Sequence, residues 1–365
     1  MMDSAGASSR INDEKSLESG GHHHNHNNHF FHLVLRISLL FLAVVLACLV
    51  LYHSVYSFQF FPNSMYNPSA SSQGSARGII SSLAKDDPAL VGVLKEAAMT
   101  DKTVIITTLN EAWAAPNSIF ELFLKSFRIG NQTQGLLNHL LVVALDQKAY
   151  ARCLALHDHC YTLNTPGIDF SSEAHFMSTD YLKMMWRRID FLRIILEVGY
   201  NFIFTDNDIM WFRDPFPHFY PDADFQIACD RFYGNSFDLN NSPNGGFTYV
   251  KSSKQTIEFY KFWYGSRDKY PGKHDQDVLN MIKFDPFIRK IGLQIRFLDT
   301  AYFGGFCQPS KDLNLVCTMH ANCCVGLDNK IHDLTILLED WRKYMSSPTN
   351  KSVTPQSSWS PRRCS

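Results

Sequence analysis

Short apolar runs alternate with longer segments of helical apolar spacing over most of the chain. The runs at residues 103–109, 139–145 and 201–205 carry the β-branched and aromatic residues typical of buried strands. Residues 181–197 have the spacing of an amphipathic helix, and Gly199 follows as its cap. Strands that alternate with helices predict an α/β domain with a mixed, mostly parallel sheet flanked by helices.

The same patterns predict the remaining elements of this domain. Further strands are expected at residues 226–229, 246–250 and 294–298. Further helices are expected at residues 117–127, 149–157, 253–264, 275–283 and 335–344. Such a sheet binds its ligand outside the carboxyl ends of its strands, so the residues after each strand are the first site candidates. Neither Gly-x-Gly-x-x-Gly nor Gly-Lys-Ser/Thr occurs, so a glycine-rich loop is not expected to bind the phosphate.

The N-terminal region has a different composition from the rest of the chain. Residues 1–32 are rich in Ser, Gly, Asn and His and predict a disordered cytosolic tail rather than a metal-binding His tract. Residues 33–56 suffice for one membrane-spanning helix, which needs about 20 apolar residues; a secretory signal peptide is the alternative. Arg36 lies at the N-terminal end of this span and the next Lys or Arg is Arg77, so the positive-inside rule places the remaining chain in the lumen.

Length and charge define the class of the lumenal part. The chain has 365 residues, of which 45% are hydrophobic, enough for one large catalytic domain with appendages. The formal net charge of −1 gives no electrostatic footprint for nucleic acid. The predicted segments after the span are a flexible stem at 57–98, a lumenal domain at 99–345 and a flexible C-terminal tail at 346–365.

The cysteines fit an oxidising compartment, in which several of them should pair. Cys153 and Cys160 predict a local disulfide, although spacing alone does not fix the connectivity. Residues 317–324 bring three cysteines close to His320, which leaves a zinc site as the alternative, but paired Cys-x-x-Cys knuckles are lacking. Glycosylation sequons, which lumenal exposure would permit, occur at Asn131, Asn240 and Asn350.

An acidic pair directly follows the apolar strand at residues 201–205. Asp206 and Asp208 are two apart, and residues with that spacing on a strand face the same side. Two carboxylates on one side repel unless a cation joins them, and oxygen ligands suit Mg²⁺ or Mn²⁺. An Asx turn that caps the next element is the alternative. A plain turn, however, needs neither the apolar strand nor the aromatic pair Trp211 and Phe212.

The stretch 205–215, Thr-Asp-Asn-Asp-Ile-Met-Trp-Phe-Arg-Asp-Pro, resembles the metal-binding motif of plant glycosyltransferase family 77, the nucleotide-diphospho-sugar transferases. Further agreement is found at residues 107–113, 244–247, 274–277 and 320–326, followed by Lys330. The resemblance spans roughly residues 100–345 and implies a GT-A-like, Rossmann-type fold in a type II Golgi membrane protein. It implies retaining transfer of xylose, arabinose or galactose from a UDP-sugar to a cell-wall glycan or glycoprotein.

The resemblance also implies roles for individual residues. Mn²⁺ or Mg²⁺ would be held by Asp206, Asp208 and His320. The catalytic set would be Asp208 together with Asp275 and Gln276, the latter two facing the transferred sugar or the acceptor. The donor-binding set would be Thr107, Thr108, Asn110, Lys183, Asp206, Asn244, Gly245, Gly246 and Lys330.

Several of these assignments have a purely structural alternative. His320 is also explained as a core or disulfide-adjacent histidine, and Lys330 as a solvated surface lysine. The glycines at 245 and 246 would equally suit a bulge, and Asp275 or its neighbour His274 a helix N-cap. Lys183 lies on a helix with Arg187, where such residues more often form the polar face than bind phosphate.

The implied mechanism is electrostatic. The metal and Lys330 would offset the charge that develops on the UDP leaving group, while the sugar passes through an oxocarbenium-like state. No residue is selected by the sequence as a covalent nucleophile. Two other functions use the same residues: a lumenal hydrolase or phosphatase, and a membrane-anchored, GT-A-like scaffold without turnover.

Overall fold

A computed structural model of the chain describes residues 87–163, 165, 168–172, 176–346 and 361–364, together with 35–39 and 45. The chain divides into two compact units, Met1–Ser71 and Ser72–Ser365, and the second contains the folded domain. The predicted tail lies outside the described residues, as does most of the predicted span and stem. Among the described residues, no helix is both long and apolar enough to cross a membrane.

Ten strands are found in the described part of the chain. They are β1 (Thr103–Leu109), β2 (Leu140–Ala144), β3 (Cys160–Thr162), β4 (Asn201–Thr205), β5 (Ile209–Trp211), β6 (Phe225–Arg231), β7 (Ser242–Val250), β8 (Ile295–Phe297), β9 (Phe303–Gly305) and β10 (Thr318–His320). Seven form the main sheet in the order β3-β2-β1-β4-β7-β6-β8. Within this main sheet, β7 is the one strand of the described residues that pairs antiparallel, with β4 and with β6, so the prediction of a mixed, mostly parallel sheet is confirmed.

Nine α-helices of the described residues connect and flank these strands. They are α1 (Pro88–Ala97), α2 (Glu111–Ala114), α3 (Ile119–Ile129), α4 (Gln147–Leu156), α5 (Thr179–Glu197), α6 (Lys254–Ser266), α7 (Asp275–Ile282), α8 (Pro286–Lys290) and α9 (Leu327–Ser346). Local sequence explains their ends. Ser253 and Thr256 form a capping box at the start of α6. Gly199 follows α5 with a φ of 91°, a conformation that favours glycine.

Alternating side chains of the central strands build a separate apolar layer on each side of the sheet. On β1, Ile105 and Leu109 belong to one layer, and Val104 and Ile106 belong to the other. All four are buried, which explains why this strand is a continuous apolar run in the sequence. Strand β4 also contributes side chains to both layers, and the acidic pair follows directly after this strand.

Both predicted boundaries of the folded domain differ from the structure. Helix α1 covers 10 residues of the predicted stem, and its Leu90, Leu94 and Ala97 are fully buried in the apolar layer. The C-terminal tail is also anchored, because Cys364 is buried and forms a disulfide with Cys324. Hydrophobic burial at one end and a covalent link at the other therefore extend the domain beyond residues 99–345.

A second, smaller sheet has the strand order β5-β10-β9. Its central strand β10 was not predicted, because three residues are too few for a periodic pattern. Strand β10 runs antiparallel to β5, and His320 pairs with Ile209 in the register. This pairing carries a histidine from late in the chain to the residue that directly follows Asp208.

The predicted disulfide between Cys153 and Cys160 is confirmed. Two more disulfides among the described residues join Cys307 to Cys323 and Cys324 to Cys364. Because Cys323 and Cys324 are bonded to other cysteines, they do not provide thiolates for the alternative zinc site.

Candidate active site

The acidic turn between β4 and β5 is fixed from both sides. The backbone N–H of Asp206 donates to Gly246 O at 2.8 Å. Asn207 Nδ2 donates to Thr108 O at 2.5 Å, which ties the turn to the end of β1. Below the turn, Trp211 Nε1 donates to Thr205 Oγ1 at 3.2 Å. These three hydrogen bonds hold the turn at the carboxyl end of the strands, and none of them uses the carboxylate of Asp206 or Asp208.

Asp206, Asp208 and His320 meet at one point, as predicted. Their nearest ligand atoms all lie within 4.8 Å of one another. His320 Nε2 is 3.2 Å from Asp208 Oδ1, yet this buried oxygen has no hydrogen-bond partner among the described residues. A divalent cation would complete it, and a donor set with two carboxylates suits Mn²⁺ or Mg²⁺. The three residues therefore fit a metal ion.

Positive side chains determine the protonation of this cluster. Lys330 Nζ lies 2.5 Å from Asp208 Oδ2, and it also lies 5.5 Å from the centre of the Trp113 ring. Burial opposes the ionisation of Asp208, but Lys330 and His320 together hold the pKa of its carboxyl well below the usual range. Burial raises the pKa of Asp206, and the negative charge of Asp208 adds to this rise against the opposing effect of Arg188. Asp208 is therefore the firmly ionised member of the pair.

Arg188, on α5, is a site residue that the sequence did not reveal. Its guanidinium donates to Asp206 Oδ1 at 3.0 Å and to Asp275 Oδ2 at 2.6 Å, with only 6% of the side chain exposed. Burial acts to raise the pKa of Asp275, but Arg188 and His274 together outweigh it, so the pKa is lowered. A signal was present: the charged Arg188 lies on the buried face of α5, between Met185 and Leu192.

Lys183, the predicted phosphate ligand on the same helix, is placed differently. Its ammonium pairs with Asp180 at 3.2 Å, and 47% of the side chain is exposed. Arg187 contacts Thr165 and Asp190 rather than the acidic cluster. Among the contacts of the described residues, α5 reaches the acidic cluster through Arg188, not through the two residues that spacing suggested.

Asp275 and Gln276 open α7 and face the cluster from the other side. Asp275 is 99% buried with Arg188 as its partner, so it does not cap the helix; His274 occupies the cap position without a capping hydrogen bond. Gln276 Oε1 accepts from the backbone N–H of Gly245 at 3.0 Å. The pair thus links α7 to strand β7 next to the acidic turn.

Strand β7 approaches the cluster so closely that only a glycine fits at one position. A Cβ on Gly246 would lie 2.6 Å from His320 Cε1 and 2.7 Å from Asp206 Oδ2. At Gly245 a Cβ would lie 3.5 Å from Arg188 Nη2, an ordinary contact. Asn244 Oδ1 accepts from the Gly246 N–H at 2.8 Å. The predicted close backbone approach is therefore found at Gly246.

The residues at the end of β1 have mainly structural contacts. Asn110 Nδ2 donates to Phe170 O and Ser172 O, each at 3.1 Å, while its Oδ1 caps α2. Thr107 is fully buried, and its hydroxyl has no hydrogen-bond partner in the described part of the chain. Thr108 is half-buried and offers its backbone carbonyl to the acidic turn. Their role in donor binding stays a prediction.

Asp230, near the end of β6, is a second site residue that the sequence did not reveal. Its carboxylate accepts from Asn244 Nδ2 at 2.8 Å, from Asn322 Nδ2 at 2.8 Å and from Gln276 Nε2 at 3.0 Å. The signal was again present, because Asp230 directly follows the apolar run of β6 as Asp206 follows that of β4. Only the paired spacing of Asp206 and Asp208 had attracted attention.

Residues 135–334 match the family model described as nucleotide-diphospho-sugar transferase. An uncharacterized protein of Arabidopsis thaliana is 57% identical over 256 residues, which are 70% of this chain and 68% of that protein. The UDP-D-xylose:L-fucose alpha-1,3-D-xylosyltransferase 3 of A. thaliana is 29% identical over 134 residues, 36% of this chain and 35% of that enzyme. An A. thaliana arabinosyltransferase is 25% identical over 223 residues, 55% of this chain and 52% of that enzyme. The model match includes Asp206, Asp208, Arg188, His320 and Lys330.

Proposed function

Because the chain belongs to the nucleotide-diphospho-sugar transferase family and is therefore a glycosyltransferase, we propose that it is a metal-dependent, retaining enzyme that uses a UDP-sugar. Membership confirms the resemblance that the sequence motifs indicated. One observation carries the metal dependence: the ligand atoms of Asp206, Asp208 and His320 lie within 4.8 Å of one another. The buried, unpartnered Oδ1 of Asp208 supports it, since such an atom is costly without a partner.

The positive charges of the site are arranged to receive a diphosphate. A divalent cation bound by Asp206, Asp208 and His320 would neutralise negative charge on the leaving nucleoside diphosphate. Lys330 is next to this point and 18% exposed, so its ammonium is able to donate charge-assisted hydrogen bonds to phosphate oxygens. The charge that develops on the leaving group is thereby stabilised by groups already in place.

The sugar-binding side of the proposed site is formed by Arg188, Asp275, Gln276 and the backbone around Gly245. Arg188 and Asp275 are almost fully buried and hold each other through a 2.6 Å hydrogen bond. Gln276 is fixed by Gly245 and Asp230. This buried, hydrogen-bonded wall would hold a bound sugar in one orientation beside the diphosphate.

We propose a donor sugar of the xylose, arabinose or galactose class and a cell-wall glycan or glycoprotein as acceptor. The support is the similarity to relatives whose names describe xylosyl and arabinosyl transfer. The same family setting supports a Golgi membrane location, with residues 33–56 as a type II anchor and the catalytic domain in the lumen. The three disulfides among the described residues and the exposed sequon asparagines Asn131 and Asn240 suit that compartment.

The test is a panel of UDP-sugars with the full-length chain and Mn²⁺, scored for hydrolysis and for transfer to an acceptor mixture. We expect turnover of one donor class, its loss on chelation with EDTA, and its recovery with added Mn²⁺ or Mg²⁺. Asp208→Ala should lower turnover by at least about a hundredfold, whereas Asp158→Ala, on the exposed surface, should not.

Two other outcomes would each reject part of the proposal. Unchanged turnover in Asp208→Ala would show that the metal site is wrongly assigned. Thermal stabilisation by UDP with Mn²⁺, but no turnover of any UDP-sugar, would favour a binding protein over an enzyme.

A further inference from the structure

Asp230 is surrounded by three side-chain amides from three different elements. Its Oδ1 accepts from Asn244 Nδ2 on β7 and from Asn322 Nδ2 after β10, both at 2.8 Å. Its Oδ2 accepts from Gln276 Nε2 on α7 at 3.0 Å. Because a carboxylate only accepts hydrogen bonds, all three amides must turn their NH₂ groups toward Asp230.

The oxygens of the same three amides are also used. Asn244 Oδ1 accepts from the N–H of Gly246 at 2.8 Å, and Gln276 Oε1 accepts from that of Gly245 at 3.0 Å. Asn322 Oδ1 accepts from the N–H of Cys307 at 3.1 Å. Each amide therefore bridges Asp230 to a backbone N–H, and reversing any amide would break both of its hydrogen bonds.

These bridges connect the proposed metal site to the wall of residues that faces the sugar. Gly246 lies directly against Asp206 and His320, where no Cβ fits. Asn322 follows His320 by two residues and continues the loop that leaves β10. Gln276 follows Asp275, which binds Arg188. One carboxylate thus fixes the spacing between the metal-binding histidine and the wall that faces the sugar.

The packing around Asn322 indicates that its place in this network is built into the fold. A Cβ on Gly305, in the neighbouring strand β9, would lie 2.8 Å from Asn322 Cγ. Glycine at 305 therefore leaves the space that the amide occupies. Gly305 pairs with His320 in the register of β9 and β10, so the same short sheet positions both the histidine and the amide.

We propose that Asp230 is a positioning residue for sugar transfer, which acts by orienting Asn244, Gln276 and Asn322 and so sets the distance between the metal site and the sugar wall. This proposal rests on the proposed function. Asp230 would contact neither the metal nor the leaving group; its effect passes through the three amides. A displacement of about 1 Å at reacting groups lowers turnover by about a hundredfold.

The first experiment is Asp230→Asn, whose amide oxygen can still accept from Asn244 and Asn322 but whose NH₂ group then faces the NH₂ group of Gln276. We expect kcat to fall by about a hundredfold, with a much smaller change in donor KM. The affinity for Mn²⁺ should fall by about tenfold because the loop that carries His320 shifts. Asp158→Asn, at an exposed position, is the control for the chemical change.

The decisive experiment adds a second substitution that restores the pattern of donors and acceptors. In Asp230→Asn with Gln276→Glu, the amide nitrogen at 230 donates to the carboxylate at 276. The amide oxygen at 230 still accepts from Asn244 and Asn322, and the second carboxylate oxygen at 276 accepts from the Gly245 N–H. We expect at least about a tenfold recovery of kcat over Asp230→Asn, because every hydrogen bond is again satisfied.

Recovery supports a positioning role. If the double variant regains the thermal stability of the wild type but keeps the kcat of Asp230→Asn, then restoring the hydrogen bonds does not restore turnover, and the proposal is overturned.

A variant outside the network tests the proposal independently of the folding of the double variant. Gly305→Ala pushes against Asn322 and should lower both kcat and Mn²⁺ affinity, whereas Gly135→Ala has no heavy atom within 4 Å of the new Cβ and should change neither. Wild-type values in Gly305→Ala would contradict the role of the amide bridge. Mn²⁺ affinity is measured by titration without any sugar, so the proposal fails or stands on that readout even if no UDP-sugar is turned over and the proposed function fails.

Discussion

Lys330 Nζ lies 2.5 Å from Asp208 Oδ2, although 122 positions separate the two residues in the chain. Both side chains are largely buried, with 18% and 2% exposed. The helix α9 begins at Leu327, so the first turn of this helix presents the ammonium to the acidic turn after β4. A cationic side chain and the proposed metal therefore share one carboxylate.

Replacing Lys330 by Met should raise the affinity for Mn²⁺ and lower turnover. The affinity rises because a competing positive charge leaves Asp208. Turnover falls by about 10²–10³ because a donor that stabilises the leaving group is lost. Titration with Mn²⁺ and steady-state kinetics measure the two effects.

The matched control is Lys290→Met, at an exposed position in the last turn of α8. It should leave both quantities unchanged. Equal behaviour of the two variants would show that Lys330 is only a surface lysine that happens to pair with Asp208.

Gly246→Ala should damage the metal site without removing any ligand. The new Cβ would lie 2.6 Å from His320 Cε1 and 2.7 Å from Asp206 Oδ2, so at least one of these ligands must move. We expect Mn²⁺ affinity to fall by about tenfold or more, as for other losses of ligand support. Gly245→Ala, where the Cβ makes only ordinary contacts of 3.5 Å or more, should have a smaller effect. The reverse order of the two variants would contradict the close approach of β7 to the ligands.

The long strands could be predicted from sequence because the apolar pattern that identifies each one lies within the strand itself. Strands β1 and β4 are continuous apolar runs that are buried on both faces, and their predicted bounds agree with the structure. Strands β9 and β10 have three residues each and exist through pairing with each other and with β5. A periodic pattern cannot develop over three residues, so sequence reasoning missed them.

The residues of the candidate site also divide into those that the sequence could predict and those that it could not. The acidic pair was visible because it follows a strand, whereas His320 entered through the family resemblance alone. Arg188 and its partner Asp275 are 87 positions apart, and Asp230 and Asn322 are 92 positions apart. No local sequence pattern encodes such pairs, because it is the order of the strands in the folded sheet that brings the two residues together.

Arg188→Met should destabilise the fold strongly. It removes the arginine partner of Asp275, whose side chain is only 1% exposed, and Asp206 loses the same partner. Breaking a buried ion pair from one side costs about 3–5 kcal/mol in the free energy of unfolding. Denaturation in urea measures this loss. Arg289→Met, at an exposed position on α8, is the control and should cost far less. A loss of the same small size in both variants would mean that Arg188 is not the central partner of the two carboxylates.

Asp333 fastens the C-terminal end of the domain onto α9. Its Oδ2 accepts from the backbone N–H groups of Arg362, Arg363 and Cys364 at 2.9, 2.8 and 2.9 Å. Burial acts to raise the pKa of Asp333, but the hydrogen bond from His332 and the three N–H groups outweigh it and lower the pKa. A carboxyl whose pKa is lowered in the folded state stabilises that state while it is ionised.

Asp333→Asn should therefore lower the free energy of unfolding at pH 7 by about 1.5–3 kcal/mol, the usual contribution of hydrogen bonds to a charged group. This stabilisation is fully present in the wild type above the unfolded pKa of about 3.9 and is lost as the pH falls through the lower folded value. The difference between wild type and variant should accordingly shrink when both are denatured at progressively lower pH below about 4. Comparing the two proteins at each pH removes the contribution of the titrating groups that do not contact Asp333. A difference that stays constant down to pH 2 would show that the charge of Asp333 does not hold the C-terminal segment, and that the disulfide between Cys324 and Cys364 suffices to anchor it.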